Sequence, residues 1–171
     1  MYLSGFALSL RQTNIRKTQM IGIGDKVPDV LGRDENGNEI RTADFKGRKL
    51  VLYFYPKDLT SGCTTEACNL RDNYEELRAQ GFEVVGVSVD DEAKHRRFID
   101  KNSLPFHLIA DTEKSLVSEF GVWGEKKMYG RTYMGTMRTT FIIDGNGIVE
   151  RIITPKEIKV KEHAGQILGG M

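Results

Sequence analysis

A run of six apolar residues at positions 50–55, Leu-Val-Leu-Tyr-Phe-Tyr, most constrains how this 171-residue chain can fold. A strand with one face in water alternates apolar and polar residues, so an unbroken apolar run predicts a strand buried on both faces of a sheet. The run stops at Pro56, and a segment with helical spacing follows at residues 64–80, ended by Gly81. We therefore expect a core built around a central strand that leads into a helix.

The rest of the chain alternates between predicted strands and helices. Strands are predicted at 82–89, 104–109, 138–143 and 148–153, and helices at 91–101, 112–120 and 157–168. The last two strands form a predicted hairpin over an Asp-Gly-Asn-Gly turn, and residues 34–38 form another turn. This order predicts an α/β protein with a thioredoxin-like fold, a mixed central sheet flanked by helices on both faces.

Charge and length exclude some classes of protein. The 25 basic and 24 acidic residues give a net charge of +1, which predicts neither a nucleic-acid partner nor a membrane surface. No apolar stretch approaches the roughly 20 residues that span a bilayer. Residues 20–171 are predicted to form a single domain. Residues 1–19 carry basic but no acidic side chains and are predicted to be a disordered leader, with a targeting peptide or an upstream start before Met20 as alternatives.

Both cysteines of the chain lie where the predicted helix begins. A sulfur at a helix N-terminus lies close to unpaired N–H groups and the positive end of the helix dipole, which favours thiolate over thiol. Gly62 would let a substrate approach the backbone before Cys63, Pro56 would fix the entrance of the loop, and Thr60 would cap the helix or bind a substrate hydroxyl. These features favour a reactive thiol at Cys63 over a small buried apolar residue.

The count and spacing of the cysteines lead to three further expectations. Two cysteines are too few for a secreted disulfide scaffold, so a reducing, cytoplasmic location is expected. If residues 63–68 are helical, the Cα atoms of Cys63 and Cys68 lie roughly 8 to 9 Å apart, beyond the ~7 Å limit for a disulfide. Oxidation to a disulfide would then require local unwinding. Zinc is disfavoured because the three histidines stand on different elements without paired ligand spacing.

The residues around Cys63 resemble the active-site motif of the peroxiredoxin family. That motif is matched by Pro56, Thr60 and Cys63, with Glu66 following, and the position of Cys68 resembles the bacterioferritin comigratory protein or Q-type branch. The segments at 121–127, 129–135 and 138–144 also resemble that branch, and the resemblance covers residues 21–168.

This resemblance implies a thiol peroxidase of the atypical two-cysteine type. Cys63 would attack hydrogen peroxide or a small organic hydroperoxide and become a sulfenic acid, which Cys68 would resolve as an intramolecular disulfide. Thioredoxin or a similar dithiol donor would reduce that disulfide, and no metal or other cofactor is implied. A monomer or weak dimer would suffice. The alternative that stays open is a non-enzymatic thioredoxin-fold redox sensor that passes its disulfide to a partner protein.

The resemblance also implies roles for the other motif residues. Arg138 would stabilise the thiolate and the charge on the leaving oxygen, because a guanidinium pairs well with anions. Thr60 would bind the peroxide, Pro56 would shield the pocket from water, and Glu66 would support the hydrogen-bond network. Ser61 stands where this branch commonly has proline, and Leu59 where it commonly has an acid. The serine predicts easier unwinding of the loop. The charged run at 92–97 predicts a solvated helix face.

Overall fold

A computed structural model describes residues 20–169; the predicted leader lies outside them, and the division of the chain into a leader and one domain stays a prediction. The strands of this part are β1 (Val30–Arg33), β2 (Glu39–Arg41), β3 (Lys49–Phe54), β4 (Phe82–Ser88), β5 (His107–Ala110), β6 (Trp123–Met128), β7 (Arg131–Thr136), β8 (Thr139–Ile143) and β9 (Val149–Ile153). The α-helices are α1 (Ser61–Asp72), α2 (Tyr74–Ala79), α3 (Glu92–Asn102), α4 (Ser115–Glu119) and α5 (His163–Gly169). Within residues 20–169, no helix is long and apolar enough to cross a membrane.

The central sheet is mixed, as predicted, and β3 lies in its middle. Its five strands run in the order β5-β4-β3-β8-β9. The pairs β3–β4 and β4–β5 are parallel, whereas β3–β8 and β8–β9 are antiparallel. Because β8 pairs with β3 in opposite direction, Thr139 at the start of β8 lies beside Phe54 at the end of β3. The residue before β8 therefore reaches the edge of the sheet at which α1 begins.

The apolar run at 50–55 is explained by two separate cores. Val51, Tyr53 and Tyr55 point to one face of the sheet and pack under helices α1, α2, α3 and α5. Leu50, Leu52 and Phe54 point to the other face, where α4 and the β1–β2 hairpin cover them. Because the side chains on both faces of β3 are buried, this strand does not alternate between apolar and polar residues. The prediction of a sheet covered on both faces is confirmed.

Several predicted boundaries are wrong. The helix predicted at 64–80 begins earlier, at Ser61, and is divided into α1 and α2 at Asn73. The Asn73 side chain donates to the Asn69 carbonyl at 2.8 Å, which is the local competition with helix bonds that asparagine favours. The C-terminal helix begins at His163 rather than at residue 157. Residues 154–158 instead form a turn, in which Ile158 N donates to the Thr154 carbonyl.

The β6–β7 hairpin was not predicted. All residues of these two strands except Thr136 are exposed or partly buried, and several are charged, so the alternation that reveals a half-buried strand is missing. The two turn residues, Tyr129 and Gly130, both have positive φ angles, as a type I′ hairpin turn requires. That tyrosine-glycine pair was the one local signal for the hairpin.

Candidate active site

Cys63 lies in the first turn of α1, in the position expected from the sequence. The chain leaves β3 at the centre of the sheet, crosses a short loop, and enters α1 with Thr60 as the extended N-cap residue. Cys63 is the third residue of the helix and is 2% exposed. Its sulfur is therefore close to the first-turn N–H groups, which have no partners inside a helix. Such a position stabilises negative charge on sulfur.

Arg138 joins Cys63 to Glu66. Arg138 Nη2 donates to Cys63 Sγ at 3.3 Å, and Nη1 of the same guanidinium donates to Glu66 Oε1 at 2.6 Å. Cys63 and Glu66 lie three residues apart on α1, so they share one face of that helix. The antiparallel pairing of β8 with β3 brings Arg138 to this face. The structure thus places three of the predicted site residues in direct contact.

The charge state of this cluster depends on burial and on Arg138. Burial raises the pKa of the fully buried Glu66 to about 7, although the charge and hydrogen bond of Arg138 oppose the shift. Burial disfavours the charged form of Arg138, but the charges of Glu66 and Cys63 outweigh it and raise the Arg138 pKa. The guanidinium is therefore a permanent cation between two groups that can each carry a negative charge.

The residues just before Cys63 combine a glycine beside Arg138 with a hydroxyl oxygen that can accept a hydrogen bond. A Cβ atom at Gly62 would come to 3.4 Å from Arg138 Nη2, so a larger residue would crowd the guanidinium. The exposed hydroxyl of Thr60 donates to the Lys57 carbonyl at 2.8 Å and does not cap α1. Because its hydrogen is used in that bond, the Thr60 oxygen is left to accept a hydrogen bond from a ligand. Pro56 is half-buried at the entrance of the loop.

Cys68 lies on the same unbroken helix, apart from Cys63. Both thiols are free, and Cys68 Sγ lies 3.7 Å from Asn102 Oδ1 at the end of α3. Because α1 is continuous over Ser61–Asp72, helix geometry separates the two Cα atoms by roughly 8 to 9 Å. The helical arrangement expected from the sequence is confirmed, and it does not permit a disulfide without movement of the backbone.

Polar residues behind Glu66 were missed at the sequence level. His163 Nε2 lies 2.8 Å from Thr140 Oγ1 and 3.8 Å from Glu66 Oε2. Burial lowers the pKa of His163 to about 4, so the imidazole is neutral near pH 7 and forms no ion pair with Glu66. Within residues 20–169, Glu66 Oε2 and the Tyr53 hydroxyl are buried without a hydrogen-bond partner. The one signal in the sequence for this cluster of buried polar groups was a tyrosine, Tyr53, within an otherwise apolar buried strand.

A second group of buried polar residues that the sequence did not reveal holds the loop between β3 and α1. Asp58 is buried in that loop and contacts His95 of α3, whose side chain is fully buried. The prediction that residues 92–97 form a solvated helix face is therefore wrong for His95. Its neighbours on the helix are charged, so the sequence pattern concealed a single inward-facing position.

A cluster of three side chains with metal-ligating atoms lies elsewhere in the molecule. Within residues 20–169, Asp34, Glu35 and His107 have ligand atoms within 4.8 Å of one another. His107 Nδ1 lies 2.6 Å from Glu35 Oε1, which is an ion-pair distance. Neither cysteine belongs to this cluster.

Comparisons with known proteins agree on one family. A family model described as the AhpC/TSA family matches residues 23–152. Peroxiredoxin Bcp of Bacillus subtilis (strain 168) is 44% identical over 149 residues, covering 86% of this chain and 93% of that protein. The fold is similar to that of a cysteine-to-serine mutant of PrxQ from Xylella fastidiosa, with a TM-score of 0.80, 29% identity, and coverage of 89% of this chain and 96% of the other.

A further solved structure is that of the bacterioferritin comigratory protein of Xanthomonas campestris. It has a TM-score of 0.75 and 31% identity, and the similarity covers 85% of this chain and 96% of that one. Structures of its trapped intermediate and ligand complexes gave insights into the alkyl peroxide reduction activity of the Xanthomonas protein. The residues matched by the family model include all of the cluster formed by Cys63, Glu66 and Arg138.

Proposed function

This chain belongs to the AhpC/TSA family and is a peroxiredoxin, a thiol peroxidase, and from that premise we propose that Cys63 is its peroxidatic cysteine. The family and fold expected from the sequence are confirmed. The observation that carries the assignment of Cys63 is its contact with Arg138, 3.3 Å from the sulfur at the start of α1. A thiol that is buried for packing alone has no need of a guanidinium.

In the first step, the Cys63 thiolate attacks one oxygen of a hydroperoxide. The sulfur–oxygen bond forms as the oxygen–oxygen bond breaks, so sulfur is oxidised by two electrons to a sulfenic acid. The other oxygen leaves as hydroxide or alkoxide and takes a proton from solvent. Arg138 stabilises both the thiolate and the charge that develops on the leaving oxygen. Thr60 accepts a hydrogen bond from the peroxide, and Glu66 orients Arg138.

In the second step, Cys68 resolves the sulfenic acid. The Cys68 sulfur attacks the Cys63 sulfur, the disulfide forms, and hydroxide leaves and is protonated to water. Since both residues lie on α1, the helix unwinds locally before this bond can form. Peroxiredoxins depend on a thiol reductant; we assign that role to thioredoxin or a similar dithiol, which reduces the disulfide by exchange and is itself oxidised.

The substrates are hydrogen peroxide and small organic hydroperoxides. The alkyl peroxide reduction described for the Xanthomonas relative supports the organic class. Because the resolving cysteine is supplied by the same chain, a monomer is sufficient for turnover, and a weak dimer is compatible with it. A dithiol cycle of this kind fits a reducing, cytoplasmic location.

A single assay tests this function. Peroxide consumption coupled to thioredoxin, thioredoxin reductase and NADPH is expected for the wild type and absent in Cys63→Ser. Cys68→Ser should complete about one turnover and then stop, because its sulfenic acid lacks a resolving partner. Full activity in Cys63→Ser would overturn the assignment. Rapid, peroxide-dependent transfer of the disulfide to a partner protein without catalytic turnover would favour the redox sensor instead.

A further inference from the structure

The loop between β3 and α1 contains a buried carboxylate that the peroxidase chemistry does not use. Asp58 is 4% exposed, although both sequence neighbours of this residue are exposed. One carboxylate oxygen accepts a hydrogen bond from the Tyr55 hydroxyl at 2.5 Å, and the other lies 2.6 Å from His95 Nδ1. A buried carboxylate without a cation nearby is strongly unfavourable, so the partner across this contact determines whether the loop is stable.

The surroundings of His95 indicate that this partner is an imidazolium. Its Nε2 lies 2.9 Å from the Ile109 carbonyl, which can only accept, and its Nδ1 faces the Asp58 carboxylate. With Asp58 present as a carboxylate, both ring nitrogens face acceptors, an arrangement that only the protonated ring satisfies at both ends. Burial lowers the His95 pKa, but the hydrogen bond and charge of Asp58, with the Ile109 carbonyl, raise it above its usual value.

A second carboxylate close to this pair, Asp90, acts in the same direction. Asp90 Oδ2 accepts hydrogen bonds from the Asp58 backbone N–H at 2.8 Å and from Ser88 Oγ at 2.7 Å. The charge of Asp90 also favours protonated His95. Lys94 Nζ lies 3.6 Å from Asp90 Oδ1 and partly balances that second carboxylate. Asp58 is thus fixed through its backbone to the loop that follows β4 and through its side chain to α3.

This anchor lies next to strained backbone at the active site. Leu59, which directly follows Asp58, has a φ of 63°, a left-handed conformation that is unfavourable for a residue other than glycine. Thr60 then occupies the N-cap position of α1, three residues before Cys63. Strained residues persist where the surrounding structure over-determines them. Here the fixed points are Asp58 on one side and α1 on the other.

We propose that the buried Asp58–His95 ion pair is a positioning pair, which holds residues 56–60 and the start of α1 in the geometry that reacts with peroxide. The inference rests on the proposed role of Cys63. His95 contacts neither the thiol nor the peroxide, and it acts on the reaction through Asp58 and the loop. A misplacement of about 1 Å can lower a reaction rate by about 100-fold, so a loop that is fixed in this way matters to the rate.

The ion pair also makes the reaction sensitive to pH in a defined direction. His95 has a raised pKa in the folded protein, so its contribution is fully present below pH 6.5 and is lost as the pH rises through the folded-state pKa. The rate of reaction with hydrogen peroxide divided by the rate of alkylation by iodoacetamide isolates the effect of the loop, because both reactions use the Cys63 thiolate but only the first needs the peroxide pocket.

Two amide substitutions at His95 separate positioning from simple packing. The amide nitrogen of His95→Asn can replace Nδ1 toward Asp58, whereas that of His95→Gln replaces Nε2 toward the Ile109 carbonyl. We expect the ratio of peroxide to alkylation rates to fall at least about 10-fold in His95→Gln and less in His95→Asn. The decline of that ratio with rising pH should disappear in both variants. Arg97→Gln, which changes an exposed side chain on the same helix, should behave like the wild type.

Failure of this proposal is distinguishable from failure of the proposed function. If Cys63→Ser abolishes peroxide consumption but folded His95→Gln keeps the wild-type ratio at every pH, the positioning role is wrong and the role of Cys63 stands. An equal fall of the peroxide-to-alkylation ratio in His95→Asn and His95→Gln, without a change in its pH profile, would also overturn the positioning role. If neither variant folds, nitrogen-15 NMR of wild-type His95 decides: the proposal requires protons on both ring nitrogens at pH 6, and one unprotonated nitrogen would refute it.

Discussion

Arg138 Nη2 lies 3.3 Å from Cys63 Sγ, although 75 residues separate the two along the chain. The contact exists because β8 pairs antiparallel with the central strand β3, so the residue before β8 reaches the N-terminus of α1. The same guanidinium holds Glu66 with its other nitrogen. One side chain therefore connects the thiol to a buried carboxylate.

The two-sided contact of Arg138 predicts that lysine cannot replace it. Lysine keeps the charge but has no planar fork that reaches Cys63 and Glu66 together. We expect Arg138→Lys to lower the second-order rate of peroxide reduction by about 100-fold, the range found when one oxyanion-stabilising donor is removed. Stopped-flow peroxide consumption measures the effect. Arg96→Lys is the matched control, because Arg96 contacts the Glu35 carbonyl away from the thiol, and a similar loss there would contradict the prediction.

Glu66 and His163 should make opposite contributions to stability as the pH changes. The pKa of Glu66 is raised from 4.5 to about 7, so its contribution is fully present below pH 4.5 and is lost as the pH rises through about 7. The pKa of His163 is lowered from 6.5 to about 4, so its contribution is present above pH 6.5 and is lost as the pH falls through about 4. Each is on the order of 3 kcal/mol, and in the wild type they largely cancel.

Replacing each of the two residues singly with a neutral side chain should reveal how each one makes the free energy of unfolding depend on pH. Between pH 4.5 and 6.5, the free energy of unfolding of Glu66→Gln should rise with pH relative to the wild type, and that of His163→Gln should fall. Glutamine at 163 keeps an acceptor for the Thr140 hydroxyl. Urea denaturation at several pH values gives the slopes. Parallel curves for all three proteins would show that these two groups are not perturbed by burial in the way described.

Ser61→Pro should slow resolution without slowing the reaction with peroxide. Ser61 is the first residue of α1, where proline is well tolerated, and Thr60 before it has an extended backbone that suits a following proline. Proline there should stabilise the folded loop by about 0.4–1 kcal/mol, which corresponds to roughly two- to fivefold slower disulfide formation. Quenched-flow alkylation of free thiols after peroxide addition measures both steps. Ser61→Ala serves as the control, and an unchanged resolution rate in Ser61→Pro would count against a moving helix.

Disulfide formation should also loosen the C-terminal helix. Asn69, the residue after Cys68, donates to the Lys161 carbonyl at 2.9 Å and accepts from the Ala164 N–H at 2.8 Å. If α1 unwinds around Cys68, both bonds are lost. Amide hydrogen exchange on peroxide-oxidised protein should then show lower protection at residues 61–72 and at Ala164. Peroxide-treated Cys68→Ser should keep its protection, and equal protection in oxidised and reduced wild type would contradict the mechanism.

Elements with a periodic apolar pattern could be predicted from the sequence. The run at 50–55 predicted a strand buried on both sides, and the observed β3 has a core on each face. The exposed β6–β7 hairpin could not be found in this way, because its strands bury too little to impose a pattern. The helix predicted at 64–80 was interrupted at Asn73 by a side-chain bond whose formation depends on local geometry.

The sequence by itself determined the chemistry of this protein, since a cysteine after a strand and at the start of a helix is activated by local backbone alone. The spacing of Cys63 and Cys68 on that helix is equally local, because helix geometry sets the distance between them. The resemblance to the peroxiredoxin motif implied that Arg138 acts on the thiol, but only the tertiary structure decided how Arg138 reaches the thiol and which distant groups hold its loop. Strand pairing brings Arg138 to Cys63. The packing of α3 buries His95 against Asp58, although His95 belongs to a charged run that predicts a solvent-exposed helix face. Pairing and burial depend on contacts between segments far apart in the chain, and no local pattern encodes them.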